Sequence, residues 1–271
     1  MPWLVNKFKT TYDYTATGIR LGANRRSKLL LASMLPRLKC YSALGMSTSK
    51  VYVAEVTIGE LRHALHLRKQ DIFILHEILG HSPYMTGDLY QNRPRCIIDL
   101  GAHIGLATLQ FKAAFPEVAI HCYEPDPESF RLLELNTKAL SNVLLHHEGV
   151  GSELAKAILY VHSNRHSATS LNPPKDKSDV YEVECVVKSL DTILREVGDT
   201  VDLIKFDIEG IEYPVFSHSG LVQQVRFLVG EIKASSRELD QFVKLFPSHH
   251  VSTQQMSRNM YLIHLSQNLD S

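Results

Sequence analysis

Two neighbouring segments in the middle of the chain constrain its fold more than any other feature. The first is the apolar run Cys96–Leu100, which ends at a turn between Gly101 and Gly105. The second is another apolar run, Val118–Tyr123, which ends at an acid, Glu124. A short apolar run closed by a glycine turn predicts a buried strand that leads into a helix, and the second run predicts the adjacent parallel strand. The chain is therefore expected to contain an α/β domain.

From residue 95 onward, strand-like and helix-like segments alternate, which predicts a Rossmann-like, doubly wound and mostly parallel sheet. The predicted strands cover residues 96–100, 118–123, 143–148, 202–207, 226–232 and 260–265. The predicted helices cover residues 105–115, 127–140, 189–197, 210–218 and 235–246. Two further alternating runs, Ala155–His162 and Val180–Lys188, predict an inserted strand pair around the polar loop Ser163–Lys177.

The region before this domain has a different pattern. A turn-rich stretch, His81–Pro94, predicts a boundary between an N-terminal region, 1–94, and the main domain, 95–271. Within the N-terminal region, Val51–Val56 predicts a short strand. The spacing of leucine and isoleucine from Thr57 to Gly80 predicts helices, so we expect an N-terminal helical cap.

The charge of the chain is balanced overall but uneven along its length. The 271 residues have a formal net charge of zero, so the whole chain offers no general attraction to nucleic acid. Residues 1–50 nevertheless carry nine lysines or arginines and a single acid, Asp13. This pattern is compatible with a transit-type segment, with peripheral contact to phosphate or anionic lipid, or with a solvated basic leader helix.

Membrane-spanning and disulfide-stabilised classes are not expected. The apolar piece Leu29–Leu35 is far shorter than a membrane span and is followed by Pro36. The four cysteines show no Cys-x-x-Cys spacing, and three of them lie in strand-like runs, which predicts reduced thiols and a cytoplasmic location.

The residues of the glycine turn favour one class of cofactor. The carboxylate of Glu124 is placed to accept hydrogen bonds from the hydroxyls of a ribose, as in dinucleotide sites. The middle glycine that a diphosphate requires is replaced by His103, and Asp99 adds a negative charge at the end of the strand. S-adenosylmethionine has no phosphate and carries positive sulfonium and amino groups, so it suits this turn better.

A second constellation lies at the end of the fourth predicted strand of the domain. Lys205, Asp207 and Glu209 alternate with apolar residues, which predicts three charges on one face of a strand. Ligands bind at the carboxyl ends of such strands, so Asp207 and Glu209 are expected to activate a hydroxyl while Lys205 holds their geometry. They are expected to act directly or through a divalent cation. The alternative is a purely structural lysine–carboxylate network.

These motifs resemble the FkbM family of class I S-adenosylmethionine-dependent methyltransferases. The resemblance rests on four strings: Ile98–Gly105, Tyr123–Pro127, Ser189–Thr192 and Ile204–Glu212. It implies O-methylation of a hydroxyl on a sugar, polyketide or related small molecule or glycan. The cofactor-binding residues that it implies, together with the turn residues between them, are Asp99, Gly101, Ala102, His103, Gly105, Glu124, Glu148 and Gly149. The family usually has asparagine at the position of His103 and alanine at that of Gly149.

Other candidate residues and functions stay open at this stage. Glu231, at the end of the next strand, is a candidate additional acid, and His218 is a reserve base. His76 and His81 stand five residues apart, which predicts that they lie on different helix faces and indicates no zinc-protease site. The alternative functions are a nucleotide-dependent oxidoreductase that uses the same turn and a non-catalytic binding protein of the same fold.

Overall fold

The computed structural model describes residues 2–43, 50–162, 165–174, 180–198, 201–208 and 210–267. Within these residues the fold is α/β with a doubly wound and mostly parallel central sheet, as predicted. The helices are α1 (Pro2–Leu21), α2 (Arg25–Ala43), α3 (Ile72–Leu75), α4 (Gly87–Gln91), α5 (Leu106–Ala114), α6 (Pro127–Thr137), α7 (Leu190–Val197), α8 (Glu212–Ser217) and α9 (Ser236–Val243). The strands are β1 (Val51–Ile58), β2 (Leu61–Arg68), β3 (Cys96–Leu100), β4 (Ala119–Tyr123), β5 (Val143–His146), β6 (Gly149–Gly151), β7 (Ala155–His162), β8 (Arg165–Ser170), β9 (Val180–Ser189), β10 (Leu203–Phe206), β11 (Phe227–Lys233), β12 (His249–Ser257) and β13 (Met260–Gln267).

The central sheet places the ends of β3 and β10 side by side. Its seven strands in the described part of the chain run in the order β12-β13-β11-β10-β3-β4-β5. From β3 the chain proceeds outward through β4 and β5 and then returns to β10 on the other side of β3, so the order reverses between β3 and β10. In doubly wound sheets this switch point is where ligands bind.

Alternating residues of the buried strands pack into two hydrophobic cores, one on each face of the central sheet. All five residues of β3 are buried, which is typical of a parallel strand that is covered on both faces. Ile97 packs in a core with residues of α5 and α6, while its neighbour Ile98 packs in the core on the opposite face with residues of α7, α8 and α9. The strict alternation of the strand therefore fixes the two-sided architecture.

The N-terminal region is less helical than its spacing predicted. Val51–Ile58 is a strand, as expected, but Leu61–Arg68 is also a strand and pairs with it in an antiparallel hairpin. Leu61 and Leu65 fit a helical period and a period of two equally well, and pairing with β1 decides in favour of the strand. The prediction of helix is correct only from residue 69 onward, where a 3-10 turn, α3 and a π-helical turn (His76–His81) follow each other.

Three strands, β6, β8 and β12, lie where no strand was predicted in the central region and the inserted part. Residues 165–170, expected to be loop, form β8 in a second sheet of the described residues with the order β6-β9-β7-β8. β12 is a polar edge strand, so it lacks the apolar alternation that marks a buried strand. No helix in the described part of the chain is long and apolar enough to cross a membrane.

Candidate active site

The turn after β3 is fixed by contacts with the ends of two neighbouring strands. Gly101 has a φ of +74°, and a Cβ at this position would lie 2.0 Å from the backbone oxygen of Asp207. The amides of Gly101 and Ala102 both donate to the Tyr123 carbonyl at 3.0 Å. Both amides are therefore satisfied within the protein, because the turn packs directly on β4.

Glu124 holds the next part of the turn. Its Oε2 accepts from the His103 amide at 2.8 Å, and its Oε1 accepts from the Asp126 amide at 2.8 Å. Burial raises the pKa of Glu124 to about 7, and the nearby charge of Asp126 adds to this effect. The two amides and Lys205 act in the opposite direction and favour the ionised form, but they do not compensate for burial.

His103 adopts a left-handed backbone conformation, with a φ of +51°, and its imidazole lies against a buried ion pair. Arg68 Nη2 is 3.0 Å from His103 Nε2. Arg68 forms its ion pair with Asp71, with 3.1 Å between Nε and Oδ2, and the two side chains are 2% and 0% exposed. Burial lowers the pKa of His103 to about 4, so its imidazole is neutral at pH 7.

Asp99 and Lys205 form a second buried pair behind the turn. Lys205 stands beside Asp99 in the parallel register, and its Nζ is 3.0 Å from Asp99 Oδ1. The same Nζ donates to the Gly101 carbonyl at 2.8 Å. Burial opposes the charge of Lys205, but Asp99 and Asp207 outweigh it and leave the pKa of Lys205 above its ordinary value.

The predicted row of three charges on one strand face is only partly present. β10 ends at Phe206, so Lys205 is in the strand while Asp207 is in the turn that follows. Asp207 is held there because its amide donates to the Leu100 carbonyl at 3.0 Å. Burial raises the pKa of Asp207 against the attraction of Lys205. Glu209 lies outside the described residues.

Two further carboxyl groups stand near Asp207. Glu77, in the π-helical turn, forms a side-chain hydrogen bond with Glu231 at the end of β11. Burial and the charges of Asp207 and Glu77 raise the pKa of Glu231 to about 9. A hydrogen bond between two carboxyl groups requires one of them to keep its proton, so this pair holds a proton at neutral pH.

One cavity, with an empty volume of about 650 Å³ that includes open solvent, is lined by five of the eleven predicted site residues. The residues that line it are Ile74, Gly101, His103, Tyr123, Glu124, Pro125, Gly149, Val150, Leu159, Thr169, Ser170, Leu171, Asp207, Ile208 and Ile211.

Four predicted cofactor residues do not line this cavity. Asp99 is fully buried behind the turn, and Ala102 is 3% exposed. A Cβ on Gly105 would lie 2.8 Å from Leu133 of α6, so this glycine serves helix packing. Glu148 forms an ion pair with Lys188 at 3.0 Å.

Sequence reasoning missed several groups that the fold brings to the site. Arg68 and Asp71 belong to the N-terminal region, and no local pattern linked them to a turn more than thirty residues away. Glu212 accepts from the Gly210 amide at 2.8 Å, and burial raises its pKa to about 7. Its position in the string Ile204–Glu212 was the available signal.

The histidine candidates are placed away from the cavity. His218 is exposed and its Nδ1 lies 2.7 Å from the Pro214 carbonyl oxygen. His76 and His81 were expected on different faces, but their Nε2 atoms are 3.2 Å apart because the π-helical turn brings residues five apart together. Among the described residues, no group of three or more His, Cys, Asp or Glu side chains is arranged to hold a metal ion.

Comparison with known proteins matches the chain to one family. The family model described as methyltransferase FkbM domain matches residues 99–261. Methyltransferase 1 of Beauveria bassiana (strain ARSEF 2860) is 31% identical over 139 residues, which cover 44% of this chain and 56% of that protein. Methyltransferase sdnD of Sordaria araneosa is 29% identical over 175 residues, which cover 53% of this chain and 66% of that protein. The match therefore spans less than two thirds of the length of each of these curated relatives.

A solved structure is also similar at low identity. Aeropyrum pernix fibrillarin, crystallised with natively bound S-adenosyl-L-methionine, is 13% identical with a TM-score of 0.41, over 64% of this chain and 66% of that chain. The family model covers well over half of the chain, from Asp99 in β3 to Tyr261 in β13. The chain belongs to the FkbM methyltransferase family.

Proposed function

We propose that this chain is an S-adenosylmethionine-dependent O-methyltransferase. The observation that carries the proposal is the convergence of Gly101, His103, Glu124 and Asp207 on one cavity at the switch point of the sheet. These residues come from the ends of three neighbouring strands. The family membership and the names of the two curated relatives support methyl transfer.

The chemistry of the lining residues fits this cofactor. Glu124 and Asp207 contribute carboxylates, and none of the described lining residues is a lysine or arginine. A diphosphate would meet repulsion here, whereas a sulfonium cation is attracted. When bound, S-adenosylmethionine supplies a methyl group on a positively charged sulfur. Glu124 would hold the ribose, and Gly149 would allow close approach of the adenine. These acidic lining residues disfavour the alternative function, a nucleotide-dependent oxidoreductase.

Asp207 is the residue that we assign as the general base. An aliphatic hydroxyl is a weak nucleophile, so its proton must be removed as the new bond forms. The raised pKa of Asp207 makes it a stronger base than an exposed aspartate. Lys205 holds the Gly101 carbonyl and Asp99 and thereby positions the turn against which Asp207 packs. We propose Glu209 as a second carboxylate beside it.

The acceptor is proposed to be the hydroxyl of a sugar, polyketide or related small molecule. Five apolar side chains of the cavity wall support a mostly uncharged acceptor: Ile74, Leu159, Leu171, Ile208 and Ile211. A nucleic acid is not expected, because phosphates would need basic groups. The four cysteines are free, and we propose a cytoplasmic enzyme.

The cofactor assignment is tested by isothermal titration of the full chain with S-adenosylhomocysteine and, separately, with NADH. We expect micromolar binding of the first and weaker or no binding of the second. Tighter binding of NADH would reverse the assignment. Adding a chelator to a methylation assay tests whether a divalent cation takes part.

The base is tested with Asp207→Asn. This variant should lose at least about 100-fold in methylation rate, because an amide cannot take a proton from the hydroxyl. Its affinity for S-adenosylhomocysteine should stay within a few-fold. The matched control is Asp240→Asn on the exposed side of α9, which should keep full activity. An active Asp207→Asn enzyme would place the base elsewhere.

A further inference from the structure

Arg68 belongs to the N-terminal hairpin (β1 and β2), yet it lies directly behind the turn Gly101–Gly105, which we call the cofactor turn. Its guanidinium contacts three groups: Asp71, the His103 ring and Ser129 Oγ, the last at 3.2 Å. Resting on the proposed function, we infer that Arg68 is a positioning residue that fixes the tautomer of His103, so that the Nδ1–H of His103 donates a hydrogen bond to an oxygen atom of the bound cofactor.

The tautomer follows from donor and acceptor chemistry. A guanidinium has only donors, so His103 Nε2, at 3.0 Å from Arg68 Nη2, can only accept; it shares the two Nη2 hydrogens with Asp71 Oδ1 and Ser129 Oγ, both at 3.2 Å. The other group near this nitrogen is Asp71, whose Oδ1 is 3.7 Å away, too far for a hydrogen bond. The proton of the neutral imidazole therefore resides on Nδ1.

The imidazole stays neutral because of its surroundings. Burial is the largest influence and lowers its pKa, and the positive charges of Arg68 and Lys205 act in the same direction. Asp71 and Asp126 act in the opposite direction but do not compensate. A neutral ring with Nε2 accepting leaves one donor, Nδ1–H.

This donor has no partner within the described residues. His103 Nδ1 is buried and makes no hydrogen bond, although the residue lines the cavity. Buried donors are nearly always satisfied, so an orphan donor on a residue that lines the cavity points to a group supplied by a ligand. An oxygen acceptor is the chemistry required, and the cofactor offers two kinds, the methionine carboxylate and the ribose hydroxyls.

Arg68 is itself held firmly enough to define the ring position. Its backbone amide donates to Asp71 Oδ2 at 2.7 Å, and Nε donates to the same oxygen at 3.1 Å. Ser129 Oγ, which accepts from Arg68, donates to Asp126 Oδ2 at 2.7 Å. The Asp126 amide in turn donates to Glu124 Oε1. The hairpin is thereby connected to His103 in the turn and to Glu124 after β4.

The first test observes the tautomer directly and needs no cofactor. Imidazole ¹⁵N shifts of labelled wild-type protein at pH 7 should show His103 as the neutral Nδ1–H form, the signal being assigned by its loss in His103→Asn. In Arg68→Met with Asp71→Leu, which replaces the buried ion pair by apolar side chains, the Nε2–H form should appear. An Nε2–H tautomer in the wild type would overturn the inference even if the variant failed to fold.

The second test measures S-adenosylhomocysteine affinity in a double-mutant cycle. Arg68→Met with Asp71→Leu should weaken binding about tenfold in the His103 protein. The same change should have little effect in a His103→Asn background, because asparagine carries its own amide donor and tolerates a left-handed backbone. Equal losses in both backgrounds would show that Arg68 acts only through general stability.

Two further arms separate the possible outcomes. The control Asp202→Asn disrupts a buried carboxylate bound to Arg95 and Arg226 at the opposite end of the sheet, and it should lower stability without changing affinity. Methylthioadenosine keeps the ribose but lacks the methionine carboxylate. If the wild type and the Arg68→Met, Asp71→Leu variant bind it equally well, the carboxylate is the oxygen acceptor for His103 Nδ1–H. If wild-type protein binds no S-adenosylhomocysteine, the proposed function fails. If it binds and the Arg68 variant binds equally well, only the present inference fails.

Discussion

At the scale of single residues, the backbone of the cofactor turn explains which side chains it tolerates. Gly101 and Gly105 have φ values of +74° and +86°, and His103 between them has +51°. Outside glycine, this region is adopted most readily by asparagine, aspartate and histidine. The departure of this chain from the usual asparagine of the family is therefore compatible with the backbone, and Arg68 adds a side-chain contact that holds the ring.

Replacing Gly101 by alanine tests how tightly this turn is packed. Gly101→Ala should destabilise the protein by more than about 3 kcal/mol, because left-handed strain is combined with a clash against the Asp207 carbonyl. The control is Gly59→Ala, which has a φ of +57° but open space around the new Cβ, and it should cost only about 1 kcal/mol. Urea denaturation measures the free energy of unfolding of both variants. Equal losses in the two would show that backbone strain alone is responsible and that the clash adds nothing.

The buried carboxyl groups make stability depend on pH. Burial raises the pKa of Glu231 from 4.5 to about 9, so between these values the folded state keeps a proton that the unfolded state releases. Stability from this group is therefore full below pH 4.5 and is lost as the pH rises through 9. Glu124 and Glu212, with pKa values raised to about 7, also contribute stability that is lost as the pH rises. His103 has the opposite sense, because stability is lost as the pH falls from 6.5 to about 4.

Glu231→Gln should flatten this dependence at alkaline pH. Between pH 7 and 9 the free energy of unfolding of the wild type should fall, and at pH 9 the variant should be more stable by about 2 kcal/mol because its amide stays uncharged. The measurement is urea denaturation at a series of pH values. Glu134→Gln, at an exposed position of α6, should follow the wild-type curve. Parallel curves for wild type and Glu231→Gln would contradict the assigned titration.

At the scale of secondary-structure elements, α6 joins the N-terminal hairpin to the cofactor turn. Asn136, a fully buried residue of α6, accepts from the His66 amide at 2.7 Å and donates to the His66 carbonyl at 2.9 Å. It also donates to the Ile104 carbonyl at 2.8 Å. This one side chain therefore satisfies the amide and carbonyl of His66 in β2 and the carbonyl of Ile104 in the turn.

Asn136→Ala should remove this connection. We expect a loss of about 3 kcal/mol in unfolding free energy, because backbone groups of His66 and Ile104 would be left buried without partners. Affinity for S-adenosylhomocysteine should also fall, since Ile104 lies inside the turn. The control is Asn92→Ala, whose amide makes one exposed hydrogen bond, and it should change stability by less than about 0.5 kcal/mol. Unchanged cofactor affinity in Asn136→Ala would separate the hairpin from the site.

At the scale of the whole molecule, the N-terminal region shares a core with the domain that follows. Leu31, Val56 and Leu65 pack in the same hydrophobic cluster as Leu109 and Leu133. Removal of the N-terminal region would expose this face of α5 and α6 to water. The division at residue 94 stays a prediction about sequence organisation, and the shared core leads us to expect that both parts unfold together.

A chain limited to residues 95–271 tests this expectation. It should be poorly soluble or lack a cooperative unfolding transition, because burial of apolar surface is the main source of stability. Calorimetry of the full chain should show a single transition. A truncated chain that unfolds cooperatively and binds S-adenosylhomocysteine would show that the domain is independent and that Arg68 is dispensable.

Local pattern was sufficient for the central part of the fold. β3, α5 and β4 lie within one residue of their predicted bounds, because apolar strands and a glycine turn restrict the backbone through their own sterics and burial. Adjacent strand ends then bring Gly101, Glu124 and Asp207 together without further information. The same pattern failed for Leu61–Arg68, where both periods fit and only pairing with β1 decides the outcome.

Contacts between distant segments were decided by tertiary structure alone. The position of Arg68 behind His103, the pairing of Glu77 with Glu231 and the cavity wall formed by β8 each join residues that are far apart in the chain. Their energies depend on burial and on donor geometry, which exist only after the hairpin and the second sheet have packed. The sequence alone therefore determines the sheet and the place of its cofactor turn, whereas packing determines which protonation states and side-chain partners the site contains.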